Sequence, residues 1–142
     1  MKIQRIVKTD RPIGQVFDYL SNFTSTTDWD PGTVRTDRES GDGGVGTVYH
    51  NVSRFMGRET ELTYTVIDLV PNERIQLRGV NQTVTAQDTM TFGSAAGGTE
   101  VTYEAEFEFS GFAKYLAPLL KPALAKLGND AEAGMTKALA RL

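Results

Sequence analysis

The sequence of 142 residues contains no cysteine, one histidine and one tryptophan. The absence of cysteine excludes a disulfide, a thiol nucleophile and a zinc thiolate site, and it fits a reducing compartment such as the cytoplasm. A single histidine, His50, excludes a multi-histidine metal site and a conventional serine triad. We therefore expect a cytoplasmic protein that holds no metal and no cofactor.

Long apolar segments are also absent. No window holds the roughly 18 apolar residues of a membrane-spanning helix, and the start, "MKIQRIVKTD", mixes charged with apolar residues, unlike a signal peptide. The apolar fraction of 39% and the charged fraction of 23% are typical of globular proteins. Because a chain of this length can bury a core of its own, we expect one soluble domain over residues 1–142, as a monomer or homodimer.

The charge is small in total but unevenly distributed. The net charge of −3 does not indicate a nucleic-acid partner. From Gly111 onward, however, five cations face two anions, which gives +3 there and leaves −6 for the rest of the chain. We favour the interpretation that these lysines form the solvated face of a helix. The alternative is contact of a basic C-terminal helix with a membrane surface.

Helical periodicity occurs near both ends of the chain. Pro12 suits the first turn of a helix, and the apolar residues after it recur at spacings of three and four: Ile13, Val16, Phe17 and Leu20. Cap-forming residues at 22–28 are compatible with a second short helix. A long amphipathic C-terminal helix is predicted by a stripe of Leu120, Leu124, Leu127, Ala131, Met135, Ala138 and Leu142. Pro118 and Pro122 should lie before or within its first turn, and Gly128 predicts a bend.

The remainder of the chain has the pattern of strands. Residues 2–9 form one strand-like segment, and residues 33–109 contain six more, separated by short turn signals. Strands joined by short turns predict an antiparallel meander. The last of them, "TEVTYEAEFEF", alternates apolar with polar residues, so one face should be buried and the other wet. The "GDGGVG" segment matches a phosphate-binding pattern, but a strand follows it instead of a helix, which predicts a hairpin loop.

Several segments, in their order along the chain, resemble one known family. They are "TDRPIGQVFDYLSNFTSTTDWDPG", "GVGTVY", "YTVIDLVPNERIQLRG", "DTMTF", "GGTEVTYEAEFEFSG" and "LAPLLKPAL". Together they resemble the START-like (SRPBCC, Bet v 1-like) superfamily, specifically its polyketide cyclase/dehydrase and lipid-transport branch. The resemblance implies an α+β helix-grip fold. In that fold a seven-stranded curved antiparallel sheet wraps a long C-terminal helix, two short helices lie between strands 1 and 2, and an apolar cavity separates sheet and helix.

Asp88 is the most informative polar residue. Alternation in "VTAQDTMTF" places this carboxylate on the same face as Ala86 and Met90. One interpretation is a structural ion pair with Arg78, Arg54 or Arg38. The other is a polar anchor, or an acid with a raised pKa, inside a hydrophobic pocket. Both predict that Asp88 is hardly exposed.

Three functions are compatible with these features. The first is a carrier or sequestering protein for a small hydrophobic molecule such as a lipid, polyketide or other aromatic metabolite. The second is a polyketide aromatase/cyclase or dehydratase, and the third is an interaction or toxin-like domain with a closed core. The candidate ligand-binding residues are Trp29, Tyr64, Asp88, Met90, Tyr103, Phe107, Leu120, Leu124 and Leu127.

Catalysis has few candidates in this sequence. The candidates are Asp88, Tyr103 and His50. Tyr64 and an arginine are the further residues that could supply an acid, a base or a donor to an enolate. His50 qualifies only if its face of the strand looks into the cavity, and the pattern of residues 47–55 leaves that face undecided.

Trp29 has two interpretations of its own. It is either a rim residue with its indole N–H near water or a plug at one end of the core.

Overall fold

The fold is built around one seven-stranded antiparallel sheet, seen in a computed structural model that describes residues 1–142. The strands are β1 (Lys2–Thr9), β2 (Thr33–Ser40), β3 (Val48–Phe55), β4 (Arg58–Val70), β5 (Arg74–Val80), β6 (Val84–Ala95) and β7 (Gly98–Phe109). Their order in the sheet is β1-β7-β6-β5-β4-β3-β2. Consecutive strands from β2 to β7 are therefore neighbours, and the predicted meander is confirmed.

The helices lie at two places along the chain. Between β1 and β2 are α1 (Ile13–Ser21), a 3₁₀ turn (Phe23–Ser25) and α2 (Thr26–Trp29). After β7 follow α3 (Ala113–Leu116), a second 3₁₀ turn (Ala117–Leu120) and α4 (Lys121–Ala140). The predicted helix-grip fold, with a curved sheet and a long C-terminal helix, is thus confirmed. None of these helices is long and apolar enough to cross a membrane.

The core fills one end of the space between the sheet and the helices. Helix α1 buries Val16, Phe17 and Leu20 on the face that the spacing predicted, and the Phe17 ring packs edge-on against Phe92 of β6 at 5.1 Å between centroids. Met135 of α4 is also part of this core cluster. Because these side chains interlock with β6 and β7, this end of the sheet is closed.

Helix α4 packs closely against β1. It is continuous through Gly128, so the predicted bend does not interrupt it. Gly128 instead permits close approach, since a Cβ atom there would lie 2.5 Å from Cγ2 of Ile3. Arg5 of β1 then reaches the helix and donates to the backbone oxygen of Ala125 at 3.2 Å. Pro122 lies in the first turn of α4, as predicted.

The predicted loop and the predicted wet face are both confirmed. Residues 41–47, which contain "GDGGVG", connect β2 to β3 as an irregular hairpin loop. On β7, Glu106 and Glu108 are exposed, whereas Val101 and Ala105 are buried.

Candidate functional site

A cavity of about 540 Å³ lies between the sheet and the segment that runs from α3 into α4. Its volume falls within the range usual for small-molecule sites. Apolar side chains make up most of its wall, and β3, β4, β6, β7, α2 and α4 all contribute to it. The core is therefore not fully closed, as an interaction domain with a closed core would require.

The structure brings eight of the nine predicted ligand-binding residues onto this wall. They are Trp29, Tyr64, Asp88, Tyr103, Phe107, Leu120, Leu124 and Leu127. Met90 is the exception, because it is fully buried in the core and does not line the cavity. It shares a face with Asp88 but lies two residues closer to Phe92, where α1 fills the space. The alternation of β6 predicts a shared face but not where along that face the core ends and the cavity begins.

The face of β3 left undecided by the sequence is settled by register and burial. Tyr49 and Asn51 are buried, and Asn51, Ser53 and Phe55 line the cavity. His50 therefore lies on the outer face, where its Nε2 is 3.4 Å from Oε1 of Glu61. It does not line the cavity, so the condition for its general-base role is not met.

Asp88 lies on the cavity wall and is only 5% exposed, as both interpretations predicted. The ion pair with an arginine is wrong. Its hydrogen-bond partner is Tyr103, whose hydroxyl donates to Oδ2 of Asp88 at 3.3 Å. Register explains the difference, because Leu77 lies opposite Asp88 whereas Arg78 lies opposite Gln87 on the other face.

The other two arginines that were candidates for Asp88 also have different positions. Arg38 lies on β2, the exposed edge strand of the sheet. Arg54 lies at the cavity rim, with Nη2 3.9 Å from Oε2 of Glu59.

Burial changes the titration of the acidic groups in the cavity. Desolvation, helped by the nearby negative charge of Asp30, raises the pKa of Asp88 to about 7, and the hydrogen bond from Tyr103 opposes that rise. The same kinds of cause, burial first and the charge of Asp88 second, raise the pKa of Tyr64 and of Tyr103 well above the usual value of a phenol. Both phenols therefore act as hydrogen-bond donors at neutral pH.

Asp30 lines the cavity wall, although it was not among the predicted site residues. It forms a turn, since its carboxylate accepts from the Gly32 N–H at 3.0 Å and from the Thr33 hydroxyl at 3.1 Å. It also lines the cavity, and burial raises its pKa. The polar sequence around it gave no sign that this carboxylate would be enclosed.

A closed polar network lies beside it. The hydroxyls of Thr26 and Thr36 are 2.6 Å apart, and Asn51 Nδ2 donates to the Thr36 hydroxyl at 2.8 Å. Ser53 completes the chain by donating to Asn51 Oδ1 at 2.7 Å. These groups largely satisfy one another. By contrast, Tyr64 lies on the cavity wall, and its hydroxyl makes no hydrogen bond within the protein.

Trp29 lies at the buried end of the site and is 1% exposed. Its indole N–H donates to the Ser25 hydroxyl at 3.1 Å, and its ring packs edge-on against Tyr103 at 5.6 Å. The backbone oxygen of Trp29 contacts Gly134 of α4 so closely that a Cβ atom there would collide with it. The structure thus supports the plug interpretation and contradicts a rim position with the indole N–H near water.

The opposite end of the cavity is its mouth. It is formed by the turn between β3 and β4, with Met56 and Arg58, and by Ala113 and Leu116 after β7. These residues were not among the predicted site residues. Leu116 and Leu120 are spaced by four, which was the available signal on the helical side, whereas the hairpin tip had none.

Comparison with known proteins assigns the family. The family described as "Polyketide cyclase / dehydrase and lipid transport" matches residues 1–142. The chain belongs to this family. No curated protein matches the chain at a significant level.

Solved structures show that this family member shares its fold with distant proteins. It is similar to the Zhui aromatase/cyclase from Streptomyces sp. R1128, with 13% identity, a TM-score of 0.82, and 98% of this chain and 93% of that chain covered. TTHA0849 from Thermus thermophilus gives 13% identity, a TM-score of 0.79 and coverages of 98% and 95%. Ara h 8.0201 is 13% identical, with a TM-score of 0.64, and the match covers 96% of this chain and 98% of that chain. At such low identity the likeness shows the fold alone.

The arrangement in this polyketide cyclase/dehydrase family member permits two kinds of chemistry. Its apolar wall can exclude water from a hydrophobic ligand, and two phenol hydroxyls can donate hydrogen bonds to that ligand. Asp88 can gain or lose a proton near neutral pH. The structure contains no cluster of three histidine or acidic side chains placed to hold a metal ion.

Proposed function

We propose that the chain binds a small hydrophobic molecule, such as a lipid, a polyketide or another aromatic metabolite, and carries or sequesters it. The single observation that carries this proposal is the cavity of about 540 Å³, whose wall is mostly apolar and carries Tyr64, Asp88 and Tyr103 as polar groups. Each methylene group of a ligand that leaves water for such a wall contributes about 0.8 kcal/mol. The free hydroxyl of Tyr64 would orient the polar end of the ligand.

Binding is tested with a cavity-filling variant. Leu127→Trp places a large ring on the cavity wall of α4, whereas Ala133→Trp places the same ring on an exposed position of the same helix. A fluorescent fatty-acid or aromatic probe should bind the unmodified chain and the Ala133→Trp variant but lose affinity at least about tenfold in Leu127→Trp.

Native mass spectrometry of protein purified from its host provides an independent measurement. A carrier should retain a lipophilic adduct, and the Leu127→Trp variant should retain less of it than the Ala133→Trp variant. If the unmodified chain shows neither an adduct nor probe binding, the carrier function is wrong.

A second candidate function is supported by the pair formed by Asp88 and Tyr103. A polyketide aromatase/cyclase or dehydratase needs a base, an acid and a donor for an enolate oxygen. As a carboxylate, Asp88 would take the proton from a carbon next to a carbonyl while Tyr64 or Tyr103 donates a hydrogen bond to the enolate oxygen. The carbanion then forms a carbon–carbon bond with a second carbonyl. Protonated Asp88 would return that proton to the alkoxide that this addition leaves, which gives a hydroxyl. Asp88 would then take a second proton from the same carbon and deliver it to the hydroxyl, which leaves as water as the carbon–carbon double bond forms.

The two functions are separated by turnover. If the chain is an enzyme, it should convert a linear poly-β-ketone to a cyclised product with loss of water, seen by mass spectrometry. Asp88→Asn and Tyr103→Phe should abolish that conversion while probe binding stays within a few fold. A chain that binds the poly-β-ketone without converting it is a carrier and not a cyclase.

A further inference from the structure

The cavity mouth carries an exposed apolar surface, which we call the mouth surface and define as Met56, Phe112, Tyr115, Leu116 and Leu119. These residues make up half of the large apolar side chains that the chain exposes. Phe112, Tyr115 and Leu119 are 79%, 76% and 75% exposed. Contiguous apolar surface of this kind marks an interaction site, whereas single exposed apolar residues do not.

The mouth surface is directly connected to the cavity. Met56 and Leu116 line the cavity as well as being exposed, and Phe112 is followed by the lining residue Ala113. The rings of Phe112 and Tyr115 are 6.5 Å apart between centroids, so the two aromatic side chains form one patch. Whatever covers this surface therefore lies over the entrance that a ligand would use.

The fold leaves this segment without packing partners of its own. Neither α3 nor the 3₁₀ turn after it contains a buried side chain. The apolar residues of this segment therefore do not contribute to the core. An external apolar phase would remove them from water.

The charges around the mouth surface are mainly basic, and the one acidic residue next to Arg58, Glu59, is paired with Arg54. Residues 111–129 contain three lysines and no acidic residue. Lys114 and Lys121 are exposed, and neither makes an ion pair, nor does Arg58 at the rim. Since the rest of the chain before Gly111 has a net charge of −6, an anionic surface would attract this end of the molecule and repel the remainder.

We propose that the mouth surface docks on an anionic lipid bilayer, so that the cavity opens onto the membrane. Aromatic and leucine side chains interleaved with lysines are typical of segments that insert into the interface of a bilayer. A second copy of the chain fits less well, because two identical basic surfaces would repel each other. This docking goes beyond the proposed function, since a chain that binds the probe but no vesicle would keep that function and lose the docking.

Vesicle flotation tests the apolar contribution. The chain should float with vesicles of phosphatidylcholine and phosphatidylglycerol, and binding should weaken as salt is added or phosphatidylglycerol is left out. The variant Phe112→Ser/Tyr115→Ser/Leu119→Ser should bind these vesicles at least about tenfold more weakly. The matched control, Ile6→Ser/Val45→Ser/Ile67→Ser, removes three exposed apolar side chains far from the mouth and should bind normally.

A second pair of variants tests the charges. Lys114→Gln/Lys121→Gln should weaken binding by about fivefold for each lysine, whereas Lys8→Gln/Lys137→Gln changes the net charge equally and should have little effect. Circular dichroism and probe binding in the cavity show that each variant is folded. Absence of binding to the anionic vesicles would overturn the proposal. The proposal would also be wrong if a variant and its control bound the vesicles equally well. It would likewise be wrong if the chain formed a homodimer that dissociates when Phe112, Tyr115 and Leu119 are replaced.

Discussion

Asp88 shows how a single residue depends on the pairing of strands. Its burial follows from the alternation of apolar and polar residues along β6, which is visible in the sequence. Its hydrogen-bond partner does not follow from the alternation. A shift of one residue in the pairing of β5 with β6 decides whether Arg78 or Leu77 lies opposite Asp88. The carboxyl group is left with one hydrogen bond, from Tyr103, and no cation. Its ionisation is therefore costly to the folded state.

The pH dependence of stability follows from that cost. The pKa of Asp88 is about 7 in the folded chain and close to the ordinary aspartate value of 3.8 when the chain is unfolded. Between these values the folded chain binds a proton that the unfolded chain has lost. The contribution of Asp88 to the free energy of unfolding is therefore fully present below about pH 4, falls as pH rises, and levels off above about pH 7. The total change is on the order of 4 kcal/mol.

Asp88→Asn should remove this part of the pH dependence. Asparagine has nearly the same shape, can still accept from Tyr103 and does not ionise. Urea unfolding should show the variant to be more stable than the unmodified chain at about pH 8, with the difference shrinking toward about pH 4. Glu106→Gln, on the exposed face of β7, is the control and should show no such trend. A constant difference between the two curves across pH would contradict the raised pKa.

Among the secondary-structure elements, helix α4 shows most clearly what a sequence pattern predicts and what it does not. Its apolar stripe predicts a helix and the face that packs inward, and Leu124, Ala131, Met135 and Ala138 are indeed buried. The positions of the two glycines in α4 are explained by contacts and not by the apolar stripe. The sequence suggested a bend at Gly128, yet both Gly128 and Gly134 mark positions where another part of the chain comes very close. Such contacts join residues distant in sequence, so local patterns do not reveal them.

Gly134→Ala should destabilise the fold even though alanine favours a helix by about 1 kcal/mol over glycine. The new Cβ atom would collide with the backbone oxygen of Trp29 and lie 3.1 Å from Cδ of Pro31. A backbone group cannot rotate away, so we expect a net loss of about 2–3 kcal/mol in the free energy of unfolding. The fluorescence of Trp29 should change as well, because the residue is displaced from the buried end of the cavity.

Gly128→Ala is the matched control on the same helix. There the new Cβ atom would meet side-chain atoms, Cγ2 of Ile3 and the guanidinium group of Arg5, instead of a backbone group. Denaturant unfolding should therefore show a smaller loss for Gly128→Ala than for Gly134→Ala, with unchanged Trp29 fluorescence. Equal losses for the two variants would mean that the contact with Trp29 is not what fixes α2 against α4.

For the whole molecule, the sequence predicts the layers better than it predicts the space between them. Strand periodicity, turn signals and the two amphipathic helices were enough for the seven strands and for the long last helix. The cavity arises because α1 fills the space over one end of the sheet, near Phe92, and contributes no residue to the cavity wall. That outcome depends on where the helix is placed in three dimensions. For this reason Met90 was assigned to the cavity, whereas Asp30 and the residues of the mouth were missed.

Stability should be distributed as unevenly as the packing. Strands β5, β6 and β7 lie in the interior of the sheet. By contrast, residues 111–120 contain no buried side chain and form only local hydrogen bonds, such as Tyr115 N–H to Phe112 O at 3.1 Å. Hydrogen exchange of backbone amides should therefore be slow in β6 and fast in residues 111–120 of the free chain. Because Leu116 and Leu120 line the cavity, a bound fluorescent fatty-acid probe would contact them and should slow exchange in that segment. The loop of residues 41–47, which does not line the cavity, should exchange equally fast with and without the probe. If residues 111–120 were already as protected as β6 without the probe, this uneven stability would be wrong, and the entrance to the cavity would be as rigid as its floor.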